Sequence, residues 1–252
     1  MNFKFTSAWR RGFSYLPFLA TVIVFAALYE VSRDSGFLPY AVATLGAVVL
    51  VVSGTLCLQA LLRGSAVAPG AMPALLIAGS TFAFLFIEDA ALRLAVAAMA
   101  SILFLVLVRH LSESSKLEGA AAELRALSEW SALVALIGLS AGLLGAITFL
   151  NLNTWLAALV FAAVATYASF TLARLGQVAG WLVPAAVSVM LVQGFIVVAS
   201  LPTSHWVGAG VIGAVSYLLF SVLTAMPFGS LKRAIVSSGA ICAVLLATAR
   251  WR

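Results

Sequence analysis

Three charged residues, Glu88, Asp89 and Arg93, form the densest group of reactive side chains in the sequence. A carboxylate can serve as a general acid or base, and an arginine can bind an anionic substrate group. Together they could act on a lipid headgroup at the outer membrane face, or serve as a gate. If the next helix starts at once, Asp89 and Arg93 are at i and i+4, which favours an ion pair between them. The alternative to a functional role is a hydrated hairpin tip with an arginine whose charged end reaches the membrane surface. The hairpin tip is the preferred interpretation, because turns between membrane spans need polar residues in any case.

A second set of residues lies within apolar segments and would suit a transport path better than catalysis. Its members are Gln59, Ser80, Thr81, Pro184, Ser188 and Gln193. A proline inside a helix tends to kink it, and kinked helices often line substrate sites in transporters. Pro184 and Gln193 fall on opposite faces of an ideal helix, however, so one site is hard to build from both. A packing kink, with hydrogen bonds between neighbouring helices, explains the same residues.

Small residues at helical spacing predict two close helix contacts. Gly138, Gly142 and Gly145 give a GxxxG pattern, and Gly208 and Gly213 lie on a second small-residue face. Such faces let two helix backbones approach closely inside a membrane. The spacing leaves open whether the contacts lie within the chain or with another subunit.

Signatures of metal and cofactor chemistry are missing from the sequence. It contains no H-E-x-x-H, P-loop or G-x-S-x-G motif, so neither a cofactor nor a metal ion is expected. All eight acidic residues fall between long apolar runs. A carrier coupled to protons or sodium through an acidic residue deep in a span is therefore disfavoured.

The elements that carry these side chains are membrane spans. Apolar residues make up 64% of the 252 residues and charged residues 9%, against about 25% charged in ordinary soluble domains. A chain of this length could not hide so much apolar surface from water, so lipid is its solvent. The net charge of +6 is spread singly over loops. Membrane lipids are therefore the expected partners, and nucleic acid is not.

The predicted fold is an all-α transmembrane bundle of about nine helices, with eight as the alternative. The predicted spans are 15–31, 37–62, 72–87, 90–108, 130–150, 154–173, 178–200, 206–226 and 234–249. Crossing a bilayer takes about 20 residues in a helix. The spans at 72–87 and 234–249 are short, so the sequence does not establish that they cross completely.

Basic residues orient the predicted bundle. With a cytoplasmic N-terminus, ten of the 14 Lys and Arg residues lie on the inner side, as the positive-inside rule requires. Tryptophans, which prefer the headgroup layer, mark the predicted span ends. They are Trp9, Trp130, Trp155, Trp181, Trp206 and Trp251. The location predicted is the cytoplasmic membrane of a prokaryote, with a multi-pass topology.

One polar segment divides the single membrane domain, residues 1–252. The first four spans occupy 1–108, the segment 109–129 follows, and the last five spans occupy 130–252. Leu117, Leu124 and Leu127 lie on one face of the segment at helical spacing. The pattern predicts a cytoplasmic amphipathic helix that lies on the membrane or on a partner protein.

Two classes of function agree best with these features. The preferred one is a non-catalytic subunit or assembly partner of a cell-envelope complex, which would bind a protein through the 109–129 helix or the small-residue faces. The alternative is a small permease or flippase for a lipidic or weakly polar substrate. An enzyme acting on a lipid-linked substrate through Glu88, Asp89 and Arg93 is the least favoured.

Overall fold

The fold is that of a computed structural model, which describes residues 7–33, 68–84, 87–113, 120–224 and 228–248. All regular structure within these ranges is helical, which confirms the predicted all-α class for this part of the chain. A short 3₁₀ helix, Ala68–Ala71, is followed directly by the second of eight α-helices. The α-helices are α1 (Ser7–Arg33), α2 (Met72–Phe84), α3 (Ala90–Glu113), α4 (Ala120–Leu150), α5 (Thr154–Leu175), α6 (Leu182–Ser200), α7 (His205–Leu223) and α8 (Phe228–Thr248). The predicted second span, 37–62, lies outside the described residues.

Five described helices, α3 to α7, are long and apolar enough to cross a membrane. Their apolar stretches run from 19 to 28 residues, close to the length that a bilayer requires. The chain is therefore a multi-pass membrane protein. Helix α2 has 13 residues and is about 20 Å long at 1.5 Å per residue, in line with the short third span of the prediction. The apolar parts of α1 and α8 are also shorter than those of α3 to α7.

Helix α4 lies at the centre of the described bundle, in contact with α2, α3, α5, α6 and α7. Two apolar clusters surround it. One is built mainly by α4 to α7 and includes Phe161 and Phe195. The other joins α1, α2 and α3 around Val24 and Phe104. Because α2 packs most extensively on α4, these two helices connect the clusters.

The crossing of α2 and α4 depends on glycine. A Cβ atom on Gly138 would collide with the backbone of Gly79, and one on Gly142 would collide with Phe82. Gly145, the third member of the predicted face, is buried in the same helix. The GxxxG face therefore packs within the chain, because only hydrogen side chains allow the two backbones to come this close.

The second small-residue face, on α7, is also filled from within the chain. A Cβ atom on Gly208 would meet Leu144 of α4 and Val198 of α6. One on Gly213 would meet Ile137 of α4. Both predicted faces thus seat α4 between α2 and α7, and neither is left open for another subunit.

The polar segment 109–129 is continuous with two long helices in its described parts. Residues 109–113 form the last turns of α3, and residues 120–129 form the first turns of α4. Leu124 is 7% exposed and belongs to the apolar cluster around α4, against which Leu127 also packs. The sequence predicted a separate amphipathic helix here. In the structure, residues 120–129 are instead the start of α4, and their apolar face is continuous with the face that α4 buries in the bundle. Residues 114–119, with Leu117, lie outside the described ranges.

Candidate functional site

Two of the predicted path residues bond to their own helix. The Ser80 hydroxyl donates to the Leu76 carbonyl and the Thr81 hydroxyl to the Ile77 carbonyl, each at 2.8 Å. Both hydroxyls therefore have acceptors one turn back in α2. Gln59, the third polar residue of this group, lies outside the described residues.

The predicted kink at Pro184 is wrong, because α6 starts later than the sequence suggested. Gln177 and Gly180 have φ angles of 57° and 84°, and this left-handed backbone separates α5 from α6. Pro184 therefore lies in the first turn of α6, where the missing N–H would have had no partner within the helix. Ser188, four residues on, donates to the Pro184 carbonyl at 2.7 Å. Gln193 is exposed on α6, so the three residues do not converge on one site.

The charged group Glu88, Asp89 and Arg93 lies where α2 gives way to α3. The Asp89 carboxylate accepts a hydrogen bond from the Leu92 N–H at 2.9 Å and so caps α3. The Arg93 guanidinium donates to the backbone carbonyl of Glu88, at 3.4 Å. The predicted ion pair between Asp89 and Arg93 is absent from this described segment, because the carboxylate binds the first turn of its own helix instead.

Replacing Asp89 tests whether its carboxylate caps α3. In Asp89→Ala, we expect the amides of the first turn of α3 to exchange faster with deuterium, by the equivalent of about 1 kcal/mol. In Asp89→Asn, we expect nearly normal exchange, since asparagine is as good a cap as aspartate. Amide exchange over residues 90–93 checks both. If Asp89→Asn exchanged as fast as Asp89→Ala, the capping role would be refuted.

The structure brings together another polar group, which we call the Arg125 junction: Arg125 of α4, Leu175 at the end of α5 and Thr224 just after α7. The Arg125 Nε donates to the Leu175 carbonyl at 3.1 Å, and its Nη1 donates to the Thr224 carbonyl at 3.2 Å. Carbonyls at helix C-termini lack N–H partners and carry the negative end of the helix dipole. One guanidinium thus neutralises two helix ends that lie 50 and 99 residues away in sequence.

The two helix ends of the Arg125 junction also touch each other. Gly176, which caps α5, packs so closely on the Leu223 carbonyl of α7 that a Cβ atom would collide with it. Its N–H donates to the Leu172 carbonyl at 2.7 Å. The close approach places two partially negative termini side by side, which is why a cation between them is stabilising.

Glu129 follows Arg125 by one helical turn and is only 6% exposed. The Thr224 hydroxyl, which bonds the Phe220 and Ser221 carbonyls, also lies beside this carboxyl. Within the part of the chain that the structure describes, the carboxyl oxygen Oε1 has no hydrogen-bond partner. Glu129 thus belongs to the buried part of α4, near the start of its long apolar stretch, and it was not among the predicted site residues. It was missed because the predicted span began one residue later, at Trp130.

No protein-family model, curated protein or solved structure matches this chain. The candidate site therefore rests on geometry. Among the described residues, no three His, Cys, Asp or Glu side chains lie close enough together to hold a metal ion. Glu129, with the Arg125 junction beside it, is the strongest candidate, because buried ionisable groups in membrane helices usually have a functional or pairing role.

A contact between side chains joins α3 to α4 near the same end of the bundle. The His110 Nε2 lies 3.2 Å from Glu123 Oε2, and its Nδ1 lies 3.0 Å from the Val106 carbonyl. A doubly protonated imidazole can donate to both oxygens. Because Glu123 is 72% exposed, water screens this pair, and we assign it no more than a minor part in stability.

A small cavity lies at the opposite end of the bundle, between the ends of α4 and α6 and the start of α7. Thr148, Ser204 and His205 supply polar groups to its wall. The His205 ring packs edge-on against Phe149, with ring centres 5.5 Å apart. With a volume of about 30 Å³, the cavity has room for roughly one water molecule and none for a lipid headgroup.

Proposed function

We propose that this chain is a non-catalytic subunit or assembly partner of a cell-envelope complex in the cytoplasmic membrane of a prokaryote. The observation that carries the proposal is the closed glycine-mediated packing of α2, α4 and α7. The polar residues expected to line a path, Ser80, Thr81 and Ser188, bond to their own helices. This part of the chain has the packing of a scaffold, and the polar groups that do converge, at the Arg125 junction, join helix ends to one another.

The membrane topology belongs to the same proposal: nine spans, an N-terminus in the cytoplasm and a C-terminus outside. Support comes from the excess of basic residues on the inner side. Reporter fusions test it directly. A fluorescent protein fused after residue 115 is expected to fluoresce, and a periplasmic phosphatase fused after residue 252 is expected to be active. An inactive phosphatase at the C-terminus would indicate eight crossings.

The docking surface that we propose is the outer side of the 109–129 segment. The small-residue faces are filled within the chain and the Leu124 side is buried. Arg109, Glu123 and Ala126 are exposed on the described turns. These turns present charged side chains, which suit a polar docking surface better than contact with lipid tails.

A pull-down from nanodiscs with tagged full-length protein tests the subunit function. We expect a stoichiometric protein partner with the wild type and its loss with Ala126→Arg. The matched control is Ala179→Arg, which makes the same change at an exposed position in the turn between α5 and α6. A partner retained by both variants would place the interface elsewhere. A lone protein carrying a lipid or small molecule would overturn the subunit function.

Transport is the second candidate, and one observation favours it: the buried Glu129 carboxyl with its unpartnered oxygen. Under this proposal, the substrate of a permease or flippase would pass along α4, beside Glu129. A path along α6 is disfavoured, because Gln193 and Ser188 do not converge on one site. In vesicles, Glu129→Gln is expected to abolish flux of the co-purifying substrate while protein incorporation stays normal. Undiminished flux would remove Glu129 from the path.

A further inference from the structure

Arg125 has two sets of acceptors within reach of one side chain. In the described structure its Nε and Nη1 bond to the Leu175 and Thr224 carbonyls. Glu129, on the next turn of the same helix, is near enough to attract the guanidinium, although the described residues show no ion pair between them. Residues at i and i+4 of a helix are neighbours, so the side chain could reach this carboxylate without backbone movement.

The carboxyl of Glu129 is poorly satisfied where it lies. It is 6% exposed and its Oε1 has no hydrogen-bond partner among the described residues, while the Thr224 hydroxyl lies beside it. A buried carboxylate without its full set of partners is unfavourable, and an arginine is the best available donor. Glu129 therefore competes with the two helix ends for the same guanidinium.

We propose that Arg125 is a two-position latch. In the observed position, it holds the ends of α5 and α7 together at the Arg125 junction. In the second position, it pairs with Glu129 and releases both helix ends at once. The two positions offer one cation two different sets of acceptors, which is what a two-state element requires. This inference concerns the conformation of the bundle and holds for either proposed function.

Hydrogen–deuterium exchange on full-length protein in nanodiscs of phosphatidylethanolamine and phosphatidylglycerol tests the latch. The segments that report on it are 172–178 and 220–224. In Arg125→Gln, both segments are expected to exchange about tenfold faster, because two charge-assisted hydrogen bonds are lost. In Glu129→Gln, both are expected to exchange roughly threefold more slowly, since the neutral amide no longer draws the guanidinium away.

The control variant is Arg174→Gln, an exposed arginine in the last turn of α5. It should leave 220–224 unchanged and change exchange in 172–178 by much less than Arg125→Gln does, because an exposed charge at a helix end is screened by water. Unchanged exchange in Arg125→Gln would overturn the latch. Unchanged or faster exchange in Glu129→Gln would show that the carboxyl only fills space, which overturns the second position. If Arg125→Gln fails to fold, the Glu129→Gln result decides alone, because that change keeps the shape of the side chain.

Discussion

The alanine variant of Gly138 is expected to lose most of its folded protein, whereas the alanine variant of Gly194 should fold normally. A Cβ atom on Gly138 would overlap the carbonyl of Gly79 on α2, and neither backbone can move aside by rotating a side chain. Overpacking in a well-packed interior costs about 1–3 kcal/mol, and a backbone collision falls at or above the upper end. Helices α2 and α4 would have to separate, which opens the contact between the two apolar clusters.

Gly194 is the matched control for this substitution. It lies within helix α6, and no atom of the described residues comes within 4 Å of its added Cβ atom. Alanine there should be neutral or stabilising by up to about 1 kcal/mol, since it has the higher helix propensity. Thermal unfolding in mild detergent, followed by the monodisperse fraction after heating, compares the two variants. Equal melting temperatures would contradict the close α2–α4 crossing.

The second large effect is expected at Phe161, where alanine should lower the free energy of unfolding by about 3–5 kcal/mol. Its ring is fully buried and stacks on Phe195 with ring centres 4.6 Å apart and an interplanar angle of 15°. This pair joins α5 to α6 in the larger apolar cluster. Removing the Phe161 ring leaves a cavity, because the surrounding helices relax only partly. Phe195 also loses the ring on which it stacks.

A truncation to alanine at a nearby exposed position of the same helix is the control for Phe161→Ala. Leu159 is on α5 too but is 68% exposed, so Leu159→Ala should change stability by less than about 1 kcal/mol. Unfolding midpoints in mixed micelles with increasing sodium dodecyl sulfate give both values. Similar losses of unfolding free energy in the two variants would mean that α5 does not pack on α6 through Phe161.

In the described ranges, the positions of the apolar helices followed closely from the sequence, and the residues at which they begin or end did not. The predicted 154–173 span agrees well with α5, Thr154–Leu175, because Asn153 ends the preceding turn and caps the helix. The starts of α4 and α6 were misplaced, and both errors had consequences. Taking Trp130 as the start of a span placed Glu129 in the polar segment 109–129, outside the membrane. Starting another span at residue 178 placed Pro184 in a helix interior.

Those errors have one physical origin. Hydropathy averages over about 20 residues, whereas a helix begins or ends on a single residue through local backbone geometry. The left-handed φ angles of Gln177 and Gly180 stop α5 and delay α6, and apolar content does not record them. Helix α4, in turn, starts well before the predicted span, because its first turns are held by neighbouring helices, as the bonds from Arg125 to the ends of α5 and α7 show.

Composition and periodicity by themselves determined that lipid is the solvent, that the described elements are helices, and that glycines at positions 138, 142, 208 and 213 mark close contacts. Every segment that crosses lipid must satisfy its own backbone polar groups, so these properties can be read from the local sequence of each span. The tertiary structure alone decided which helices the glycines join and that Arg125 binds the ends of α5 and α7. It also decided that Glu129 is buried beside them. Such contacts join residues far apart in sequence, and only the packing of whole helices brings them together.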